Sequence, residues 1–318
     1  DNYSFSPNER TVILSTDTRS IYRHSYTSTH YLYNLDTKKV SALDETNNSQ
    51  TLATFNPQGD KLAYISNRNL FIKDLKSNAI QALTNDGSFN GILNGTTDWV
   101  YEEEFGITKT FDWSPDGQYL SYLKMDERAV KEFTMSYYGD LYPDLYTFKY
   151  PKAGEDNSKV TAHIYDLKNT STIDIKLGEF EYIPRINWST TQNTLVLQTL
   201  NRHQNHLTYY KVEVNATNLW EAKVFHEEQA ETYINIDDNL SFFKDGKAIL
   251  RTSEMDGYNH IYKVELNGKA TQLTKGAWDV IDLNGLNNDN SALFFTAAKA
   301  GAIHQGIYKL DIRKNKLV

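Results

Sequence analysis

One phrase recurs along the chain: an apolar residue, a polar turn rich in Pro, Asn, Asp, Ser or Gly, and then a run in which apolar and polar residues alternate. It occurs at Phe5-Ser6-Pro7-Asn8, Phe55-Asn56-Pro57-Gln58-Gly59-Asp60, Trp113-Ser114-Pro115-Asp116-Gly117, Trp188-Ser189-Thr190-Thr191, Phe243-Lys244-Asp245-Gly246 and Leu286-Asn287-Asn288-Asp289. Alternation with period two marks a half-buried strand, and the turn residues mark its ends. Strands are therefore expected after the turns, as at 61–66, 119–123 and 248–252. Second strands follow, as at 70–75, 260–266 and 306–312, and several units close on a third, at 39–43, 80–83 and 271–273. Short antiparallel strands in a unit that repeats read as the blades of a β-propeller. A β-sandwich with coincident turns is the alternative. The repeated order of the phrase favours the propeller, with about six four-stranded blades over residues 1–318.

The turns sit near positions 7, 57, 115, 191, 245 and 289, giving steps of 50, 58, 76, 54 and 44. One step is too long. The excess falls where Tyr137-Tyr138-Gly139-Asp140-Leu141-Tyr142-Pro143 and Tyr150-Pro151-Lys152-Ala153-Gly154 break the alternation, which predicts an inserted hairpin arm over 134–162. Its aromatic residues would be poorly buried on one blade, so the arm either contacts another subunit or folds back on its own propeller.

Composition sharpens the class. Aromatic residues make up 13%, with 22 Tyr and 14 Phe, and these suit pleated, half-buried surfaces better than helices. At 318 residues and 39% hydrophobic the chain can bury a sizeable core, whether as one large all-β domain or two smaller ones. With 33 basic against 41 acidic residues, a net charge of −8 and no long Lys/Arg cluster, nucleic acid is not an expected partner. No run approaches the roughly 18 apolar residues of a membrane span, and the N-terminus lacks the regions of a signal peptide. The absence of Cys excludes disulfides and thiolate chemistry and says little about compartment.

Asp98-Trp99-Val100-Tyr101-Glu102-Glu103-Glu104-Phe105 is the stretch that packing preference does not explain. Neighbouring carboxylates repel, and they can converge on one point only where the backbone curls, because successive side chains on a strand face opposite ways. Gly91, Asn94, Gly95 and Gly106 supply turn chemistry on either side, so a short helical turn on a loop is expected. Two converging carboxylates would hold an ammonium by charge-assisted hydrogen bonds. A solvated acidic turn is the bland alternative. His203 and His206 have a ligand-like spacing but no third ligand, and Asp237-Asp238 and Asn287-Asn288-Asp289 read as turn formers without calcium-loop spacing. No metal or cofactor is expected.

The acidic stretch, Arg23-His24-Ser25-Tyr26-Thr27, Tyr150-Pro151-Lys152-Ala153-Gly154, Leu197-Gln198-Thr199-Leu200-Asn201-Arg202 and Gly257-Tyr258-Asn259-His260-Ile261-Tyr262 together resemble the β-propeller domain of the dipeptidyl peptidase IV family, in family order and over nearly the whole chain. The resemblance, with a bacterial source expected, implies an eight-bladed propeller set against an α/β-hydrolase domain, of which this chain carries about six blades. It also implies a serine exopeptidase that releases Xaa-Pro or Xaa-Ala dipeptides from peptides with a free N-terminus. Glu103 and Glu104 would hold the substrate ammonium, and Arg23 would donate to a carbonyl oxygen of its first residues. Taken alone, Arg23 reads as a strand-edge cation. The arm falls in the segment that the family uses for homodimer contacts, and a periplasmic or extracellular location is implied.

One departure stands against the resemblance: Glu231-Thr232-Tyr233-Ile234-Asn235 lies where family members often carry a Phe-Arg pair. No Gly-x-Ser-x-Gly nucleophile elbow occurs. The Ser-Asp-His triad is therefore expected in the C-terminal α/β-hydrolase domain beyond residue 318, and this chain alone should be inactive. A non-catalytic propeller that binds peptides or proteins is the alternative.

Overall fold

The computed structural model describes residues 2–190, 194–217, 219–236 and 238–317, so Thr191 of the fourth turn phrase and Asp237 lie outside the described residues. The chain divides into two compact units, Asp1–Lys176 and Leu177–Val318. Among the described residues each contains three antiparallel sheets, the blades that the repeat predicts: five are four-stranded and built from consecutive strands, and the third of the first unit is five-stranded with a hairpin inserted between its strands.

In the first unit, blade one comprises β1 (Asn2–Phe5), β2 (Thr11–Ser20), β3 (Tyr26–Asn34) and β4 (Lys39–Ala42). Blade two comprises β5 (Thr51–Phe55), β6 (Lys61–Ser66), β7 (Asn69–Asp74) and β8 (Ile80–Ala82). Blade three is elaborated: β9 (Ile92–Asn94), helix α1 (Trp99–Phe105), β10 (Phe111–Trp113), β11 (Tyr119–Asp126), β12 (Glu132–Tyr137), β13 (Asp144–Lys149), β14 (Lys159–Asp166) and β15 (Ser171–Ile175). In the second unit the blades are β16 (Tyr182–Trp188), β17 (Thr194–Leu200), β18 (His206–Val214) and β19 (Trp220–Gln229); then β20 (Ser241–Phe242), β21 (Ala248–Ser253), β22 (His260–Glu265) and β23 (Ala270–Gln272); then β24 (Val280–Leu286), β25 (Ala292–Ala297), β26 (Gly306–Asp311) and β27 (Lys316–Leu317).

The recurring phrase is a single hydrogen-bonding device. Its polar residue accepts the backbone N–H that opens the next strand: Ser6 Oγ from Thr11, Asn56 Oδ1 from Lys61, Ser114 Oγ from Tyr119 and Asn287 Oδ1 from Ala292, all at 2.9 Å. Its backbone closes a tight turn through a left-handed residue such as Gly59 (φ 70°) or Gly117 (φ 68°), a conformation that costs a side-chain-bearing residue about 1 kcal/mol or more. The second strand of each blade carries the core. All seven residues of β17 and all six of β21 are buried, as are 62–66 in β6. Each Leu or Ile buried in this way contributes on the order of 1.5 to 3 kcal/mol.

Blade three positions the acidic stretch. Two segments share one edge of β11: β10 pairs with its first half, and β9 with Lys124, Met125 and Asp126. The first strand is thus broken, and the chain between Gly95 and Thr110 leaves the sheet as a loop carrying α1. A Thr96–Lys109 bridge and the Thr110 N to Gly95 O bond, 3.0 Å, close the base of that loop. Gly95 sits at φ 73°, which favours glycine, with Ile65 and Phe111 side-chain carbons 3.0 and 3.2 Å from where a Cβ would stand, so the space around it is also tight.

The sequence places an arm at 134–162. The two-stranded sheet there, β12 with β13, runs from Glu132 to Lys149, and Lys159 already pairs with Asp126 in the blade. The boundaries differ because Val160 and Ala162 are buried and belong to the blade's own alternation. The base of this hairpin packs on its blade: Phe148 is buried, and the Tyr150 ring lies 4.3 Å from that of Trp99 in α1. The tip is open, with Tyr138 81% and Leu141 91% exposed. No helix among the described residues is long and apolar enough to cross a membrane.

Candidate functional site

Helix α1 is defined at both ends by its own sequence. Asp98 is the N-cap: one carboxylate oxygen accepts the Tyr101 N–H at 2.9 Å and the other accepts the Ser158 hydroxyl at 2.6 Å. Burial raises the Asp98 pKa above the usual carboxylate range, against these hydrogen bonds, which lower it. Gly106 ends the helix in the left-handed region (φ 65°, ψ 26°), its N–H returning to the Tyr101 carbonyl. At about 100° per residue the three glutamates must face three directions. Val100, Tyr101 and Phe105 are buried, which fixes the rotation of the helix.

Glu102 therefore points inward and is 1% exposed. Its Oε1 accepts the backbone N–H of His24 at 2.6 Å and of Ser25 at 2.9 Å, in the loop that joins β2 to β3. That loop is closed by Ile21 N to Ser25 O, 2.8 Å, and by Tyr22 N to Ser25 Oγ, 3.2 Å. Glu102 Oε2 is buried without a hydrogen-bond partner. The carboxylate thus fixes blade one's loop to blade three's helix.

Glu103 lies on the shoulder of the helix, its side chain 19% exposed, and Arg23 Nε donates to its two oxygens at 3.1 Å each. The Arg23 side chain is 70% exposed, and only Nε is engaged, so both terminal nitrogens remain free to donate. Glu104 is exposed and pairs with no side chain. Of the three predicted residues the structure pairs Arg23 with Glu103, while Glu104 stands one position further round the helix. Sequence reasoning assigned no role to Glu102. The signal was present: three positions from Phe105, it shares that residue's inward face.

The remaining sequence motifs are structural. Arg202 pairs with Glu181 at 3.0 Å, and the buried His260 bonds Thr274 Oγ1 at 3.1 Å and the Gly276 carbonyl at 2.9 Å. His206 Nε2 lies 3.0 Å from Glu227 on the surface, and among the described residues no three His, Cys, Asp or Glu side chains come together as a metal site. Where a Phe-Arg pair is expected, Tyr233 is exposed and Asn235 donates to Glu254 at 3.0 Å. Both line a 280 Å³ cavity with Ser253 and Met255.

Comparison with known proteins gives a consistent result. The model of the family described as "Dipeptidyl peptidase IV (DPP IV) N-terminal region" matches residues 6–318. The crystal structure of Porphyromonas gingivalis dipeptidyl peptidase 4 superposes with a TM-score of 0.93 at 36% identity, over 100% of this chain and 45% of that one. A probable dipeptidyl-aminopeptidase B from Talaromyces marneffei is 30% identical over 340 residues, 96% of this chain and 37% of the relative. Dipeptidyl peptidase 4 from Sus scrofa is 29% identical over 91% of this chain and 41% of its own. The chain spans less than half the length of each.

Proposed function

The chain belongs to the family of dipeptidyl peptidase IV N-terminal regions, and on that footing we propose that it is the substrate-gating, N-terminus-anchoring propeller of a serine exopeptidase that releases Xaa-Pro and Xaa-Ala dipeptides. Glu103 and Glu104 receive the α-ammonium of the substrate, and Arg23 donates to a carbonyl oxygen of its first residues. An anchored terminus fixes which peptide bond reaches the nucleophile, and this makes the anchor a two-residue ruler. The nucleophile and its Asp and His belong to a C-terminal α/β-hydrolase domain, so the activity is that of the full-length protein.

The observation that carries the reading is the Arg23–Glu103 contact, in which Nε lies 3.1 Å from each carboxylate oxygen, on a loop that Glu102 has already fixed. An exposed ion pair of this kind contributes little to stability, about 0 to 1 kcal/mol. Its value lies in pre-organisation: Glu103 is held in one orientation, and the free guanidinium nitrogens of Arg23 stand beside it. When a substrate excludes water, the same charges act in a lower dielectric and gain strength. The open hairpin tip supports homodimer contact, and the reading places the protein in the periplasm or outside the cell. The test is kcat/KM on a Gly-Pro chromogenic substrate for full-length protein carrying Glu103→Ala or Glu104→Ala. Loss of activity supports the anchor, and full activity in both variants removes it.

A further inference from the structure

Behind the loop that carries Arg23, within the first unit, lies a separate cavity of 160 Å³. Its walls include Tyr22, Phe89 and Leu93, and among its polar lining residues are Glu127, Arg68 and Thr97. Glu127 is 4% exposed, and among the described residues no ion pair engages its carboxylate. Thr97 Oγ1 is buried and has no partner. The Arg68 guanidinium lies 4.8 Å from the Phe89 ring centroid and makes no ion pair. Buried polar groups are nearly always hydrogen-bonded, and a buried carboxyl is costly to ionise without a partner. Thr97 Oγ1, the Glu127 carboxyl and the half-buried Arg68 guanidinium thus front one space that a ligand with matching donors and acceptors would fit.

The chemistry of the occupant follows from the walls. A carboxylate calls for an ammonium and a guanidinium calls for a carboxylate. The two are not paired with each other, so one molecule carrying both charges satisfies both at once. The space equals about five waters at about 30 Å³ each, comparable with an amino acid bearing a short aliphatic side chain. The apolar walls suit such a side chain. We propose that this cavity binds a small zwitterion, an α-amino acid whose ammonium sits on Glu127 and whose carboxylate sits on Arg68. The charge balance supports this. Burial, together with the nearby Asp98, pushes the Glu127 carboxyl up to about 7 although Arg68 and Lys149 pull it down, so the cations already present do not compensate it.

The site is separate from the proposed anchor, since none of Arg23, Glu103 and Glu104 lines it. It is still linked to that anchor, because Tyr22 and Ser25 form part of its wall and flank Arg23. Occupancy would stiffen the loop from which Arg23 projects. A peptidase generates small zwitterions as products, so the ligand class is one that the proposed reaction supplies, although the binding argument does not depend on it.

The test is calorimetric titration of the full-length protein with L-valine, isobutylamine and isovalerate, the last two retaining one charge each. The expected result is saturable valine binding, with both single-charge analogues at least tenfold weaker. Glu127→Gln and Arg68→Met should each weaken valine at least tenfold, and Glu103→Ala should leave its affinity unchanged. Absence of valine binding at millimolar concentration overturns the proposal and leaves a water-filled cavity. Isobutylamine binding as tightly as valine overturns it in favour of a simple cation site. Valine binding that is lost in Glu103→Ala but kept in Glu127→Gln overturns it in favour of the anchor. Should Glu127→Gln fail to fold, Arg68→Met, at a half-buried position, gives the same reading.

Discussion

Arg23 and Glu103, 80 positions apart in sequence, are joined by one guanidinium nitrogen lying 3.1 Å from both carboxylate oxygens. Neither residue sits on a blade strand: Arg23 belongs to the β2–β3 loop and Glu103 to the helix that interrupts the first strand of blade three. Their meeting depends on Glu102, which holds the backbone beside Arg23.

For the full-length enzyme, Glu103→Ala or Glu104→Ala is expected to lower kcat/KM on Xaa-Pro substrates by on the order of 2 to 5 kcal/mol, the range for a desolvated charge pair losing one partner. Arg23→Ala should cost less, because only one of its nitrogens is committed to Glu103. An unchanged specificity constant in Arg23→Ala would count against its role.

Glu102→Ala should act through structure. It leaves two backbone N–H groups without their acceptor, at about 1 to 3 kcal/mol each if they stay dry. The expected signature is a lowered thermal midpoint together with a raised KM, and Glu102→Gln, which keeps an acceptor oxygen, should lose less of both. A Glu102→Ala variant with wild-type stability would mean that the loop has another anchor.

The buried pair in the second unit gives a third test. Arg251 Nη2 lies 2.6 Å from Glu228 Oε2, Ser253 donates to Glu228 Oε1 at 2.8 Å, and the guanidinium stands 5.1 Å from the Tyr209 ring centroid. Removing one partner of such a pair costs about 3 to 5 kcal/mol, whereas replacing both by apolar residues costs far less. Denaturant midpoints should therefore rank Glu228→Ala below Glu228→Leu/Arg251→Met. The reverse order would show that the ion pair is not what holds this site.

Stability should also depend on Glu127 between pH 4.5 and about 7. The folded carboxyl holds its proton up to about 7 because of burial and Asp98, while the unfolded group loses it near 4.5. The folded state thus binds more protons in this window, and stability falls as pH rises through it, by about 3 kcal/mol over the range. The facing charges are Asp98 and Asp126, which raise the value, and Arg68 and Lys149, which lower it. Glu127→Gln should flatten this slope in chemical denaturation across the window, and an unaltered slope would assign it to other groups.

Much of the fold was legible in the sequence because it rests on local rules. The turn phrase repeats because each blade uses the same side-chain acceptor and left-handed residue, as at Ser114 and Gly117. The strand period follows from which residues must be buried, and the aromatic content fits those pleated surfaces. The arm's boundaries were less legible, since Val160 and Ala162 alternate equally well in an arm or a blade and only pairing with β11 decides between them.

The acidic run could be read as a helical turn from Asp98 and Gly106 alone, cap and stop being local. Which glutamate turned inward was a tertiary decision. It required the packing of Val100, Tyr101 and Phe105 to set the rotation of α1, and the β2–β3 loop to arrive with two unpaired N–H groups. The cavity around Glu127 had no sequence signal at all: Tyr22, Arg68, Phe89, Thr97 and Glu127 come from five separate segments, and only the stacking of blades brings them around one space. The sequence alone determined the repeating unit, because hydrogen bonds between neighbours build it. The tertiary structure decided which charges are buried and which meet, because those depend on contacts between residues far apart in the chain.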